Sequence, residues 1–316
     1  MAYDLTEPLV IGISSRALFD LEQENKIFEE QGLSAYSDWQ IEHEHDLLGK
    51  GAAFNLVQAF LNVNTLVNDR RLTEVIIMSR NSPDTSLRIF NSISGYGLDI
   101  TRAALAGGSD VAPYLKAFHT DLFLSANESD VKQAVDEGIA AGMILTGERH
   151  SDAAQRVDQI RIAFDGDAVL FSAKSERIYQ QEGVEAFIRH ERDRAAIPLD
   201  KGPFANFLMT LGRLQHLKTP TGIPVVRTAL VTSRNLPAQE RAIRTLRAWN
   251  VRVDEAFFLG GVEKKDILSA FGAHIFFDDQ RKHAEPAAQV VPAAVVPYRT
   301  GDDPNTPKGE ENEYEG

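Results

Sequence analysis

The stretch that decides the fold is IRIAFDGDAVLF, residues 160–171, in which an apolar run leads directly into two aspartates, Asp165 and Asp167. A short apolar run that ends at a glycine-containing turn is typical of a strand buried in a parallel sheet. Both carboxylates would then stand at the carboxyl end of one strand, the edge where open α/β sheets bind ligands. One carboxylate to attack and a second to transfer protons suggest phosphoryl chemistry.

Three further segments follow the aspartates in a fixed order. They read RTALVTSRN (227–235), LGGVEKKDIL (259–268) and HIFFDDQ (274–280). Their candidate functional residues are Thr232 and Ser233, then Lys264 and Lys265, and finally Asp278 and Asp279. The ordered set resembles the four-motif signature of the haloacid dehalogenase superfamily of phosphohydrolases. This resemblance predicts an α/β protein whose core is a Rossmann-like parallel sheet.

Each motif has a candidate role in phosphoryl transfer. Asp165 would be the nucleophile that forms an aspartyl-phosphate, and Asp167 would protonate the leaving oxygen and later accept a proton from water. The hydroxyl of Thr232 would contact the phosphoryl oxygens. Ser233 fits an N-cap of the following helix better, although Ser233 and Arg234 are also candidates for substrate contact.

A lysine and an acidic pair would complete the site. Lys264 would neutralise the charge shared between nucleophile and phosphate, with its neighbour Lys265 as the alternative. Two adjacent acids after an apolar strand need a cation, and Mg²⁺ prefers oxygen ligands of this kind. The predicted Mg²⁺ ligands are Asp165, Asp167, Asp278 and Asp279, and the sequence leaves open which member of the last pair binds the metal directly.

The chain repeats itself with a spacing of about 150 residues. SRN occurs at 79–81 and at 233–235, and KIFEEQGLSAY (26–36) parallels RIYQQEGVEAF (177–187). The first copy lacks the carboxylates, because the matching positions of its motifs hold Ser14, Arg16, Ser125 and Ala126. We therefore predict a duplicated α/β unit in which only the second copy is catalytic.

This organisation divides the chain into three parts. Residues 1–150 would form a degenerate α/β repeat with a structural or substrate-contacting role, and residues 151–299 the catalytic domain. The polar stretch at about 171–205 would be a small cap over the site. The acidic, Pro- and Gly-containing tail at 300–316 is expected to be disordered.

Composition excludes several classes of protein. Of the 316 residues, 43% are hydrophobic, and no window approaches the roughly 20 apolar residues of a membrane span. The absence of cysteine excludes disulfides and thiolate metal sites. A net charge of −13 disfavours nucleic acid as a partner. The charged run EHEHD (42–46), whose counterpart IRHERD (188–193) keeps one histidine, is expected to be a solvated helix face rather than a metal site. We expect a cytoplasmic protein that does not bind membranes.

Beyond the superfamily signature, the chain is similar to the cytosolic 5′-nucleotidase I family. The segments that carry the resemblance include SSRALFDLEQENKIFEEQG, YGLDITRAALAGG, YLKAFHTDLFLSANESDV, EGIAAGMI, FDGDAVLFS and FFDDQ. It implies Mg²⁺-dependent hydrolysis of nucleoside 5′-monophosphates, AMP characteristically. By position it implies the roles already given to Asp165, Asp167, Thr232, Lys264 and the Asp278–Asp279 pair.

Nucleoside recognition and the exact activity stay open at this level. Aromatic candidates for the base are Phe19, Phe171, Tyr179, Phe187 and Phe204, most of them expected in the core. Ser14, Arg16 and Asn127 would line the cleft only if the two halves face each other. The alternative functions are a phosphatase or phosphotransferase for another phosphate ester, or a catalytically silent nucleotide-binding protein. A homo-oligomer is also considered.

Overall fold

The centre of the molecule is a sheet of ten strands, seen in a computed structural model that describes residues 3–67, 71–146, 158–234 and 238–304. Alternate side chains of each strand enter apolar layers on opposite faces of the sheet, as the pleat requires. In chain order the strands are β1 (Leu9–Ile13), β2 (Phe19–Asp20), β3 (Gly49–Lys50), β4 (Thr73–Ser79), β5 (Arg102–Leu105), β6 (Leu122–Ser125), β7 (Ala140–Ile144), β8 (Ile160–Phe164), β9 (Val226–Thr232), β10 (Glu255–Phe258), β11 (Ile275–Asp278) and β12 (Ala293–Val295). The short strands β2 and β3 form a separate ladder.

Helices cover both faces of the sheet. In the described residues they are α1 (Ser15–Leu18), α2 (Glu22–Glu42), α3 (Phe54–Leu66), α4 (Leu87–Gly95), α5 (Ala112–Ala117), α6 (Glu128–Asp136), α7 (Lys174–Glu182), α8 (Val184–Asp193), α9 (Ala205–Gln215), α10 (Gln239–Ala248), α11 (Lys265–Phe271) and α12 (Arg281–Ala288). Helices α3, α4, α9 and α10 contribute to the core on one face, and α5, α6, α11 and α12 to the core on the other. This layering confirms the predicted α/β fold with a large, mostly parallel sheet.

The two halves of the chain have the same strand order. The full sheet runs β10-β9-β8-β11-β12-β7-β6-β1-β4-β5, so each half places its five strands in the order third, second, first, fourth, fifth. This is the order of a doubly wound nucleotide-binding sheet. Neighbouring strands within each half are parallel. The shared order supports the prediction of a duplication.

One antiparallel pair joins the halves and reverses one of them relative to the other. Strand β12 pairs with β7 in antiparallel register, with Ala294 opposite Ile144. Because all other neighbours are parallel, the strands of the first half run opposite to those of the second. The carboxyl ends of the two half-sheets therefore lie at opposite edges of the sheet, which determines where any site can form.

Backbone hydrogen bonds show which residues of the two halves correspond. The N–H of Ser14 donates to the carbonyl of Leu124, and the N–H of Asp165 donates to that of Phe277. Ser14 thus stands where Asp165 stands in the second half. The alignment of the two SRN segments is shifted by one residue relative to the structure. The N–H of Ala106 donates to the carbonyl of Ser79, and the N–H of Leu259 donates to that of Thr232, so Ser79 corresponds to Thr232 and not to Ser233. Asn81 is consequently the counterpart of Arg234.

The predicted cap is a pair of helices. Helix α2 of the first half is broken at Gly32 (φ 85°), and the same break at Gly183 (φ 84°) separates α7 from α8. Glycine adopts this positive φ without steric cost. Of the tail predicted to be disordered from residue 300, Thr300 is hydrogen-bonded to Asp136, and residues 305–316 lie outside the described residues.

Candidate active site

The polar strand ends converge because three neighbouring strands share one edge. Strand β8 lies between β9 and β11, and all three are parallel. Asp165 follows β8, Thr232 ends β9 and Asp278 ends β11. All three residues are buried, with Asp278 fully so. The structure thus brings together residues that are spread over the sequence from position 165 to position 278.

Lys264 lies between two of these carboxylates. Its Nζ donates to Asp165 Oδ1 at 2.5 Å and to Asp278 Oδ2 at 2.6 Å. Burial lowers the pKa of Lys264, but the charges of the two aspartates outweigh burial and raise that pKa above its ordinary value. Lys265 points elsewhere and donates to Gln289 at the surface. The sequence could not choose between these lysines, whereas the structure has Lys264 in the site.

Negative charge exceeds what Lys264 can compensate. Burial and the nearby carboxylates raise the pKa of Asp165 to about 7, although the charge of Lys264 opposes them. Burial and the charges of Asp278 and Asp165 raise the pKa of Asp279 well above its usual range. Burial also opposes ionisation of Asp278, but Lys264 and His283 together outweigh burial and lower the pKa of that carboxyl. Such a cluster is suited to a further cation.

The acidic cluster has limited capacity to hold a metal by side chains alone. Among the described residues, no group of three or more His, Cys, Asp or Glu side chains is arranged to hold a metal ion. Mg²⁺ needs only one or two carboxylates, with water and substrate phosphate as further ligands. The Oδ1 of Asp278 accepts the N–H of Gln280, while Asp279 accepts a hydrogen bond from the hydroxyl of Tyr298. The donor set fits Mg²⁺ bound in this partial way.

Asp167 is held by an arginine. Arg234 Nε donates to Asp167 Oδ2 at 2.7 Å, and Nη2 donates to Oδ1 at 2.6 Å. The same guanidinium lies between the rings of Phe171 and Phe187 and donates to Glu191 of α8. Arg234, a candidate for substrate contact, is therefore buried in ion pairs. Glu191 belongs to the charged segment IRHERD, and its burial was not evident from the sequence.

A cavity of about 290 Å³ opens beside these groups. Asp165, Asp167 and Thr232 line it, and helices α7 and α8 contribute further side chains, Glu176, Tyr179, Val184 and Phe187. Of the aromatic candidates, Tyr179 and Phe187 thus line the cavity. The others, Phe19, Phe171 and Phe204, are fully buried core residues.

Ser233 is exposed on the rim of this cavity. The expectation that it caps the following helix is wrong, since α10 begins after Ala238 and has no side-chain cap. The Oγ1 of Thr232 instead accepts the N–H of Arg234 at 3.3 Å. The turn after β9 is thus organised by the threonine.

The structure does not bring Ser14 and Arg16 to this site. They follow β1, whose carboxyl end lies at the opposite edge of the sheet and which is separated from β8 by four strands. There Ser14 caps α1, and Arg16 forms an ion pair with Glu22 at 2.9 Å. Asn127 caps α6 at the same far edge. The prediction that these residues contact the substrate is wrong for a single chain, because the antiparallel junction turns them away.

Known proteins are similar to this chain over nearly its whole length. A sequence profile of the 5′-nucleotidase family matches residues 1–303. The human protein named Cytosolic 5′-nucleotidase 1B is 38% identical over 291 residues, which covers 89% of this chain and 47% of the human protein. The chain thus spans about half the length of that relative. Both halves of the sheet lie within the matched residues.

Proposed function

The chain belongs to the 5′-nucleotidase family, as its motifs predicted, and we propose that it hydrolyses nucleoside 5′-monophosphates, AMP foremost, to nucleoside and phosphate. The reaction would depend on Mg²⁺ and pass through an aspartyl-phosphate. The observation that carries this proposal is the contact of Lys264 with Asp165 and Asp278 at the carboxyl edge of the second half-sheet.

In the first step, an oxygen of Asp165 attacks phosphorus, and the bond between phosphorus and the 5′ oxygen of the nucleotide breaks. Asp167 donates a proton to that leaving oxygen. Lys264 stabilises charge on the nucleophile and the transferred group, and the hydroxyl of Thr232 donates to a phosphoryl oxygen. In the second step, water attacks phosphorus and gives a proton to Asp167, while the bond between phosphorus and the Asp165 oxygen breaks. This step releases phosphate and restores Asp165.

Asp165, Asp167, Asp278 and Asp279 would hold Mg²⁺. Bound there, the metal would neutralise charge on the phosphate and orient it for attack. The raised pKa values of Asp165 and Asp279 support a cation beside these two carboxyls.

The cavity supports a phosphate ester with an apolar or aromatic body. Its lining includes the reactive groups together with Tyr179 and Val184, which are about half exposed. A nucleoside base could pack against these two side chains. Ser233, on the rim, would contact the substrate through its hydroxyl.

We also propose a cellular setting and partners for the protein. The net charge of −13 argues against nucleic acid as a partner. Within the described residues, the structure contains no helix with the length and apolar character needed to cross a membrane. We propose that the protein acts in the cytoplasm, since the human relative is named a cytosolic 5′-nucleotidase. A homo-oligomer stays a prediction.

A substrate panel tests the function directly. Phosphate release is measured with nucleoside 5′-monophosphates, sugar phosphates and phosphotransfer acceptors, with Mg²⁺ and with excess EDTA. We expect turnover of the nucleotides, AMP fastest, only with Mg²⁺, and none for Asp165→Asn, because an amide cannot form the acyl-phosphate. Preferred turnover of sugar phosphates, transfer to an acceptor, or nucleotide binding without turnover would each support an alternative function instead. Full activity in EDTA would refute the metal requirement.

A further inference from the structure

A buried chain of charges links Asp167, the proposed acid/base, to the cap. It runs from Asp167 through Arg234 to Glu191 of α8, and from Glu191 to Arg241 of α10. The side chains of Arg234 and Glu191 are at most 1% exposed. Ser175 at the start of α7 also donates to Glu191. One guanidinium therefore contacts the site on one side and a cap helix on the other.

The first half of the molecule contains the same junction without these charges. Asn81 stands at the place of Arg234, and its Nδ2 donates to the hydroxyl of Tyr36, the counterpart of Phe187. That hydroxyl in turn accepts a hydrogen bond from Gln40, the counterpart of Glu191. Arg16 replaces Asp167 and pairs with Glu22 instead. In the first half, the contacts that correspond to those of Arg234 are thus made by neutral groups.

A second arginine of the network, Arg241, has an arginine counterpart in the first half. Arg241 Nε donates to the carbonyl of Ile197, and its counterpart Arg88 makes the same bond to the carbonyl of Asp46. Each of these arginines also pairs with a buried glutamate. Arg241 is therefore common to both halves. Arg234 is present only in the half that carries Asp167.

We propose that Arg234 is a positioning residue that fixes the carboxylate of Asp167 for proton transfer to the leaving oxygen, and that Glu191 holds Arg234 in place from the cap. The inference rests on the proposed function. Two parallel N–H···O bonds allow the carboxylate one orientation, and the rings of Phe171 and Phe187 confine the guanidinium. The position of the cap helix α8 and the orientation of Asp167 are then coupled through Arg234. A general acid depends on such geometry, since small displacements reduce its contribution.

The test uses Arg234→Lys and a series of phosphate esters. Lysine keeps the charge but cannot form the bidentate pair. The measured quantity is kcat/KM, which covers the steps up to departure of the leaving group. A p-nitrophenolate needs no proton to leave, whereas a nucleoside or a simple alkyl alcohol does. Since general acid catalysis contributes about 10²–10⁴-fold, we expect kcat/KM to fall by about 10–100-fold for alkyl esters and nucleotides, and by less than about 3-fold for p-nitrophenyl phosphate.

Arg241→Lys is the matched control, because it alters the same glutamate without contacting Asp167. It should change kcat/KM by one common factor across the series. Glu191→Gln should show the same difference between poor and good leaving groups as Arg234→Lys, but a smaller one. If circular dichroism shows that Arg234→Lys does not fold, Glu191→Gln tests the proposal in its place. An equal loss for good and poor leaving groups, or no loss, overturns the proposal. Failure of the proposed function is seen separately, as turnover of alkyl and nitrophenyl esters but not of nucleotides by the wild type.

Discussion

Lys264→Met removes the cation that lies between Asp165 and Asp278. The side chains of both aspartates are at most 9% exposed, so neither carboxylate can regain its solvation by a side-chain movement alone. Removing one partner of a buried ion pair costs about 3–5 kcal/mol, because the remaining charge stays uncompensated. Methionine preserves most of the apolar stem, which keeps the packing loss small. We therefore expect a loss of about 3–5 kcal/mol in the free energy of unfolding at pH 8 without metal.

The loss should be smaller at pH 5. Without the lysine, the folded-state pKa values of the two carboxyls rise, and at low pH they take up protons and become neutral. Stability contributed by a raised carboxyl pKa is present at low pH and is lost as pH increases through that pKa. A purely steric effect of the substitution would be the same at both pH values.

The assay is urea unfolding in EDTA, followed by tryptophan fluorescence. The chain has two tryptophans, Trp39 in the first half and Trp249 in the second. A Trp39→Phe background leaves Trp249, which packs on Phe171 at 5.7 Å between ring centroids, as the reporter of the catalytic half. Lys265→Met is the matched control and should stay within about 0.5 kcal/mol of the background protein. Equal losses for both lysine variants, or a loss below about 1 kcal/mol for Lys264→Met at pH 8, would refute the reasoning.

Three further predictions concern packing, pH and the far edge of the sheet. Gly202→Ala should reduce the free energy of unfolding by about 1–3 kcal/mol or more, since a Cβ there would lie 2.4 Å from two backbone carbonyl oxygens. The control Gly212→Ala in α9, where the nearest atom to the new Cβ is 3.6 Å away, should stabilise the protein by about 0.5–1 kcal/mol; urea unfolding that ranks the two variants the other way contradicts this. In metal-free wild type, Asp165 should make the free energy of unfolding fall as pH rises from about 4 to 7, because its raised pKa means that the folded state binds one more proton than the unfolded state. Asp165→Asn should flatten this pH profile, and an unchanged slope would contradict the prediction. Arg16→Ala should leave kcat/KM within about twofold of wild type, whereas a tenfold loss in steady-state assays would mean that this residue reaches a substrate.

The convergence of the site could be predicted because it follows from strand patterns. The apolar runs before Asp165, Thr232 and Asp278 are long enough to indicate buried strands, and parallel strands align their carboxyl ends. The predicted order of these segments and the unequal halves needed no knowledge of side-chain contacts. The roles proposed for these residues remain predictions.

Other features depend on contacts that the sequence does not encode locally. AAGMI and AAV, the strands at the junction, carry no pattern that distinguishes parallel from antiparallel pairing, so the reversal of the first half could not be anticipated. Glu191 has the appearance of a surface residue in a charged helix. It is buried because arginines from two other elements, Arg234 and Arg241, meet it there.

The antiparallel junction gives one polypeptide the geometry of a two-fold symmetric dimer. Glu128 and Arg281 begin equivalent helices of the two halves and lie 3.5 Å apart across it, as a residue close to a dyad meets its own symmetry mate. A single unit of this kind would expose the edge of its fifth strand with unpaired backbone groups, and a second copy could cover that edge. Joining two copies covers that edge permanently, whatever the protein concentration. The half that lacks the carboxylates still covers this edge of the other half, because β7 pairs with β12.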